Sequence, residues 1–562
     1  MTTKSQIKNI ISKPIKEKVD FVVEIPENKN FGDYATNVAL ILAKKQGNNP
    51  TEVANSIISK LKTQDSQLFS KIEAVNGFIN FFLKPEFFQE QIKSILREEK
   101  NFGQQNIGKN KTVIIDYSSP NVAKPMHVGH LRSTIIGQAI YNLYKFLGYK
   151  VIGDNHLGDW GTQFGIMIAG YKKYKPDLKN ITISKMLDIY VKFSQEVEKN
   201  PALQELAKEE FKKLEHGNKE NRKIWEIFRN KSLDDFNKIY KILGIKFDLI
   251  LGESFYEKYL KEEIQNALKN KIAVKNPDKS VIIPLEKFKL VPFLIQKSDG
   301  ATLYGTRDLA TLRYRIKKFK PERIIYVIGN EQSFYLEQLF RCSEILGYIP
   351  YKKLYHIKFG LVLDENRKKL STRKGRVVNA EELIKKVISL AEETIKKKNP
   401  KLSEKERKKA AETIGIGALK YNDLSQNRQT DIVFDWERML NFEGSSAPYL
   451  QYTYVRLRSI LRKAKLEKFN PQLLKEKKEI EILKELTKFP EIVEESANDF
   501  QINNLADYLF KLCVSVNGFY ESLPVLKAEE KIKLARLALI KAAIIVIKNG
   551  LNLLGIEVLE RM

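Results

Sequence analysis

The sequence predicts a multidomain α/β chain: a parallel-sheet domain split by an insertion, with a small α+β segment before it and an all-α segment after it. Three observations carry this reading. The chain has 562 residues, more than one hydrophobic core organises. From Lys111 onward buried strand-like runs alternate with helices, the pattern of a parallel sheet. Beyond about residue 380 strand signals cease and helical periodicity continues to the end.

The elements follow in order. Residues 1–108 combine a strand-like VDFVVEI, the polar turn PENKN, a helix from Asp33 to Lys45 and a strand-like GFINFFL, and the connector REEKNFGQQNIGKNK closes this segment. Residues 109–380 open with TVIIDYS, a helix from His130 to Leu147 and YKVIGDN. A charged helical insertion over about 173–275 interrupts them, and strands return at SVIIPL, ERIIYVIG and HIKFGLVL. Residues 381–444 read as a helical linker. Residues 445–562 read as an all-helical domain with Pro448, Pro471, Pro490 and Pro524 near helix boundaries.

Composition narrows the partners. With 43% hydrophobic and 30% charged residues the chain is globular, and no run of about 18 apolar residues predicts a membrane span. The N-terminus has no continuous apolar stretch with a small-residue cleavage site, so it is read as retained. Cys342 and Cys513 stand far apart without metal-type spacing, which predicts neither a disulfide framework nor a structural zinc, and a cytoplasmic setting. The net charge of +28 favours a polyanionic partner or reflects a general lysine bias, and the motifs must decide between them.

Two motifs carry the chemistry. SSPNVAKPMHVGHLRSTIIG places His127 and His130, two of only five histidines, where a buried strand gives way to a helix. At a helix N-terminus unpaired backbone N–H groups and the dipole favour an anion, and two short imidazoles there can donate to a phosphate. Gly129 lacks a Cβ, so a flat ring could approach the backbone. The second motif, DENRKKLSTRKGRVV, is a basic polar loop in which Lys368, Lys369, Arg373 and Lys374 bracket Ser371, Thr372 and Gly375. Such a loop could close over a polyphosphate. A histidine cap alone, or a solvated basic loop alone, would be an ordinary surface feature; the pair in one sheet domain is not.

HVGH resembles the HIGH signature of class I aminoacyl-tRNA synthetases and KLSTR their KMSKS signature. The words DYSSPNVAKPMHVGHLRSTIIG, GDNHLGDWGTQFG, LYGTRDLA, YVIGNEQ and LQYTYVRLRSILRKA resemble the arginyl branch of that family, as do NFGDYATNVALILAKK, GFINFFL and LGIEVLERM. The resemblance spans essentially the whole chain.

It implies a Rossmann-like catalytic domain that joins L-arginine to ATP, releases pyrophosphate and passes the arginyl group to the terminal adenosine of tRNA(Arg), with Mg2+ accompanying ATP. His127, Gly129, His130, Lys369, Ser371, Thr372 and Arg373 would meet ATP. Thr372 stands where the signature has its second lysine, and Lys124, three residues before His127, is the expected substitute, sharing the catalytic role with Lys369. A guanidinium needs paired acceptors, and the resemblance implies Asp116, Asn121, Glu253, Tyr304, Asp308 and Gln332 for arginine. GDNHLGDWGTQFG, with His156, Asp159, Trp160 and Gln163, is expected to wall the site or to pack in the core.

In PYLQYTYVRLRSILRKAK tyrosines alternate with arginines, the means of stacking bases and meeting phosphates. Tyr449, Tyr452, Arg456 and Arg458 are the expected anticodon-side contacts, and Asp33 and Tyr34 of the NFGDY turn the contacts of the N-terminal domain with the tRNA elbow. The resemblance further implies a monomer. A nucleotidylyltransferase sharing the HxGH word would end soon after its sheet, and a silent tRNA-binding paralogue would not need His127, His130 and Asp308 intact.

Overall fold

The computed structural model describes residues 2–15, 17–64, 68–364, 366–368 and 378–561. The chain forms two compact units, one of Met1–Gln105, Phe442–Leu553 and Glu557–Met562, the other of Asn106–Asn441 with Leu554–Ile556.

The second unit is built on a four-stranded parallel sheet in the order Leu354–His356, Arg323–Tyr326, Thr112–Asp116, Lys150–Asp154. Val113, Ile114 and Ile115 are fully buried, as the apolar run predicts for a strand covered on both faces. From Thr112–Asp116 the chain crosses to the edge at Lys150–Asp154, and from Arg323–Tyr326 it crosses the opposite way to Leu354–His356. Between these two central strands connections diverge, and such a switch point leaves a crevice at the carboxyl ends of the strands. Into it lead the loops after Asp116 and after Tyr326.

Helix Val128–Phe146 starts at this crevice and packs against the sheet so closely that a Cβ on Gly137 would come within 2.4 Å of the Tyr117 side chain. Its Ser133 hydroxyl donates to Val327 O (2.7 Å) and accepts from Ser118 N (2.9 Å), joining the helix to both loops. The buried Arg132 guanidinium donates from Nη1 to Gly360 O (2.6 Å), from Nη2 to Arg428 O (3.1 Å), and from Nε to Asp423 (3.2 Å).

The insertion is helical, with Ile183–Lys199, Pro201–Glu215 and Lys219–Ile242 stacked beside Thr162–Tyr174. SVIIPL does not rejoin the parallel sheet as the sequence suggested. Val281–Ile283 pairs antiparallel with Val274–Lys275 and Phe293–Gln296 in a separate three-stranded sheet. HIKFGLVL is also divided: His356 ends a sheet strand, whereas Val362–Leu363 pairs with Ile432–Val433, a strand within the region read as purely helical. Both departures concern strands of two or three residues, too short for an alternating pattern to identify.

The first unit combines an antiparallel sheet, Val23–Glu24, Tyr34–Thr36, Phe78–Leu83 and Phe69–Val75, with the helices Ala447–Leu461, Lys477–Asn498, Ile502–Ser522 and Glu530–Leu553. The helix expected from Asp33 begins only at Val38, because Tyr34–Thr36 pairs with Phe78–Leu83. Pro490 lies inside helix Lys477–Asn498 rather than at its boundary. Helix Thr3–Ser12 meets helix Lys477–Asn498, where Lys4 N donates to Glu491 (2.8 Å) and Lys4 Nζ pairs with Glu495. Among the described residues no helix is long and apolar enough to cross a membrane.

Candidate active site

Helix Val128–Phe146 begins with a reciprocal cap made by histidines. His127 is the N-cap, its Nδ1 accepts from Gly129 N (3.1 Å), and His130 Nδ1 accepts from His127 N (3.1 Å). In the neutral ring a nitrogen that accepts leaves the proton on the other, so both imidazoles carry Nε2–H. Burial, reinforced by His127, lowers the His130 pKa to about 3 and keeps that ring neutral. The rings lie with centroids 3.7 Å apart, tilted by 30°. A Cβ on Gly129 would lie 3.0 Å from His127 Cε1, so this glycine gives the His127 ring its room.

The basic loop is tethered at both ends. Asp364 Oδ1 accepts from Asn366 N (3.0 Å) and Lys368 N (2.9 Å). On the far side Val128 N donates to Val378 O (3.2 Å) and Ala380 N to Met126 O (2.9 Å), so the chain leaving the loop runs beside the histidine cap. Lys369, Ser371, Thr372, Arg373, Lys374 and Gly375 lie outside the described residues. Lys124 is placed with its Nζ 4.3 Å from the Tyr190 ring centroid.

The second part of the site surrounds His156–Asp159. Asn121 lies against Gly158, where a Cβ would come within 2.1 Å of Asn121 Oδ1. Glu253 N donates to Leu157 O (3.0 Å). The corner after Glu253 is fixed by buried Asp159, which accepts from Ser254 N (2.8 Å), Ser254 Oγ (2.8 Å) and Arg229 Nε (3.0 Å). Asp308, on helix Tyr304–Phe319, faces His156, its Oδ1 3.9 Å from Nε2, and accepts a hydrogen bond from the Tyr335 hydroxyl. His156 Nδ1 donates to Leu251 O (3.1 Å) in the neutral ring, which leaves Nε2 as an acceptor turned towards a carboxylate. Two acceptors facing across a gap suit a donor placed between them.

Glu253 Oε2 lies 2.7 Å from Arg307 Nε as an ion pair out of hydrogen-bond alignment, and among the described residues both atoms, with His156 Nε2, are buried without a hydrogen bond. Burial raises the pKa of Glu253 and of Asp308 against the pull of Arg307. An arriving cation would reverse that. Tyr304 is 56% exposed at the start of the Asp308 helix with its ring 4.9 Å from that of Tyr335, and Gln332 is exposed in the turn just before the Tyr335 helix.

Asp116 departs from expectation. Its Oδ2 accepts from Arg315 Nη2 (2.6 Å), which also reaches Asp154 (2.8 Å), and its Oδ1 accepts from Ser119 (2.9 Å). The carboxylate expected to take substrate is thus engaged by an internal arginine, and it ties helix Tyr304–Phe319 to the strand ends. Arg307 and Tyr335 were not among the expected site residues, and His156 and Asp159 were expected only as part of a wall or of the core. The word GDNHLGDWGTQFG held the latter two, but its Trp160 is core, edge-on to Phe211 and Trp225, and nothing in the pattern separates these roles.

In the other unit, two expected RNA contacts are structural. Tyr34 is 2% exposed and its hydroxyl lies 3.2 Å from both Glu491 oxygens, while Asp33 accepts from Leu83 N (2.9 Å) and pairs with Lys484 (2.6 Å). Tyr449 is half-buried and accepts from Asn517 Nδ2 (2.9 Å), Arg458 pairs with Glu560 (2.7 Å), and Arg456 lies over the Tyr520 ring (4.5 Å). Tyr452 is 46% exposed.

A parallel sheet whose switch point receives a histidine-capped helix, with the paired-histidine word and the basic loop word in this order, defines a class I aminoacyl-tRNA synthetase. Models of three families match the chain: the class I (R) tRNA synthetase catalytic domain over residues 91–436, the DALR anticodon binding domain over 450–562, and the arginyl tRNA synthetase N terminal domain over 1–83. An arginine–tRNA ligase of Fusobacterium nucleatum is 42% identical over 557 residues, covering 98% of this chain and 96% of its own. One of Clostridium beijerinckii is 38% identical over the full length of both chains. The crystal structure of an arginyl-tRNA synthetase from Plasmodium falciparum, 28% identical, superposes over the whole of both chains with a TM-score of 0.85. The chain belongs to the arginyl-tRNA synthetase family.

Proposed function

We propose that this protein is an arginine–tRNA ligase: it activates L-arginine with ATP to arginyl-adenylate and pyrophosphate and transfers the arginyl group to the 3′-terminal adenosine of tRNA(Arg). The observation that carries the arginine assignment is the acceptor set at the switch point. Asp308 and His156 Nε2 face each other 3.9 Å apart, and Glu253, buried and paired with Arg307, lies within electrostatic reach of both. A planar guanidinium donates five N–H bonds in a fixed fork and fills such a set; an ammonium leaves acceptors unpaired.

Activation is an in-line displacement at the α-phosphate, in which positioning and charge stabilisation do the catalytic work. The two Nε2–H donors of His127 and His130 hold ATP phosphates, and the neutral His130 ring adds no charge repulsion against its neighbour. Lys124 and Lys369 supply the cationic charge on the transferring phosphate, and Ser371, Thr372 and Arg373 close over the nucleotide, with Mg2+ entering as part of the ATP substrate. Asn121 and Gln332 orient the α-amino and carboxylate end of arginine, and Tyr304 covers the pocket. Tyr452, Arg456, Tyr449 and Arg458 meet tRNA on the helical domain, and the chain works as a cytoplasmic monomer.

ATP–pyrophosphate exchange with arginine, run with and without tRNA, tests this reading. Exchange that requires arginine and is stimulated by tRNA supports it. Exchange that proceeds with another amino acid, or none at all under any condition, contradicts it.

A further inference from the structure

The segment that joins the first strand to the histidine cap is strained. Ser118, Ser119 and Ala123 hold φ of 72°, 45° and 65°, left-handed values that carry a steric cost for residues with a Cβ. Such a conformation persists only where its surroundings over-determine it. Ser119 is held from within the sheet domain, by Asn155 Oδ1 (3.1 Å) and Asp116 (2.9 Å).

The insertion reaches the other two strained residues, Ala123 directly and Ser118 beside its bonds to Ser133 (2.9 Å) and Thr134 (2.8 Å) of helix Val128–Phe146. Ser118 Oγ lies 2.8 Å from the Tyr240 hydroxyl, and Ala123 N donates to Ser232 Oγ (2.9 Å), both partners being on helix Lys219–Ile242. The Ser232 hydroxyl is itself fixed, since it donates to Phe228 O (2.7 Å). One residue after Ala123 comes Lys124, its ammonium over the ring of Tyr190 on helix Ile183–Lys199 (4.3 Å). Among the described residues no carboxylate pairs with Lys124.

A lysine stem is flexible, and an aromatic face is a way to fix an ammonium without cancelling its charge. A carboxylate at the same place would neutralise the cation and compete with phosphate. We propose that the helical insertion is the frame that aims Lys124: Ser232 fixes the backbone turn before it, and Tyr190 fixes its ammonium, so both are positioning residues for amino acid activation. The inference rests on the role given to Lys124 above. It assigns to the insertion a part in activation, and it explains why a chain with Thr372 in the basic loop can rely on an upstream lysine.

The test is ATP–pyrophosphate exchange by the full-length protein with arginine and tRNA present, comparing Lys124→Ala, Tyr190→Phe, Tyr190→Leu, Ser232→Ala and the double variant Lys124→Ala/Tyr190→Leu. Lys124→Ala is expected to lower kcat roughly 100-fold. Tyr190→Leu is expected to lower it roughly ten-fold with the KM for arginine unchanged, while Tyr190→Phe, which keeps the ring face, retains the wild-type rate. The double variant should be no slower than Lys124→Ala alone, a non-additivity that a merely structural ring would not produce. Urea midpoints equal to wild type exclude loss of folding. Impaired Lys124→Ala beside unimpaired Tyr190→Leu, or additive losses in the double variant, would overturn the inference and leave the role of Lys124 standing. Unimpaired Lys124→Ala would overturn both.

Discussion

The Tyr335 hydroxyl donates to the Asp308 carboxylate, so the acid at the centre of the proposed guanidinium pocket is oriented from a neighbouring helix. The bond leaves Asp308 Oδ1 turned to His156. Asp308→Asn should therefore remove charge and orientation together and lower kcat/KM for arginine by about 1,000-fold or more. Tyr335→Phe should remove orientation alone and cost roughly ten-fold, as one buried hydrogen bond to a charged group does. Steady-state kinetics with arginine varied, ATP saturating, separates these values.

Burial raises the pKa of both Glu253 and Asp308. A guanidinium binds the ionised forms, so arginine binding should pull both values down and release protons. The KM for arginine should then rise as pH falls, while the KM for ATP changes far less. Calorimetric titration with arginine in two buffers of different ionisation enthalpy should report that release; proton uptake would contradict it.

The place of the two histidines was legible because their word brings its own context. His127 and His130 were placed at a helix start by the apolar run before them and the periodic run after them, and there they stand. Asp116 was not legible in the same way. A carboxylate at the end of a buried strand looks alike whether it faces a ligand or an internal arginine, and its partner Arg315 lies 199 residues away. Tyr34 and Asp33 misled for a related reason: NFGDY has the composition of an exposed turn, but Tyr34–Thr36 joins a sheet and its residues meet Glu491 and Lys484 of a distant helix. Long-range pairing, not local propensity, decided each of these.

Arg315 is fully buried between Asp116 and Asp154 and holds the Asp308 helix to the strand ends. Arg315→Met should leave two carboxylates facing each other without a cation and destabilise the protein by about 3–5 kcal/mol. Urea denaturation gives this value. Arg315→Met with Asp116→Asn and Asp154→Asn should recover part of it, because the uncompensated charge is gone.

In the other unit Glu491 is buried against Tyr34 and Lys4, with Glu495 nearby, and its pKa is raised to about 7, chiefly by burial. A carboxyl whose folded value exceeds its unfolded value binds its proton more tightly when folded. Its contribution is present below about pH 4.5 and is lost as pH rises through about 7. Glu491→Gln should accordingly raise stability at pH 8 by about 1–3 kcal/mol and change it little at pH 5. Thermal melts at the two pH values read the difference.

If the proposed acceptors match a guanidinium, the active site charges tRNA with arginine and rejects lysine. Charging of tRNA(Arg) by the purified protein, with labelled arginine and labelled lysine compared at saturating ATP, tests it most directly. Rapid charging with arginine is expected, with a kcat/KM for lysine lower by about 10,000-fold or more. Comparable charging with both amino acids would contradict it.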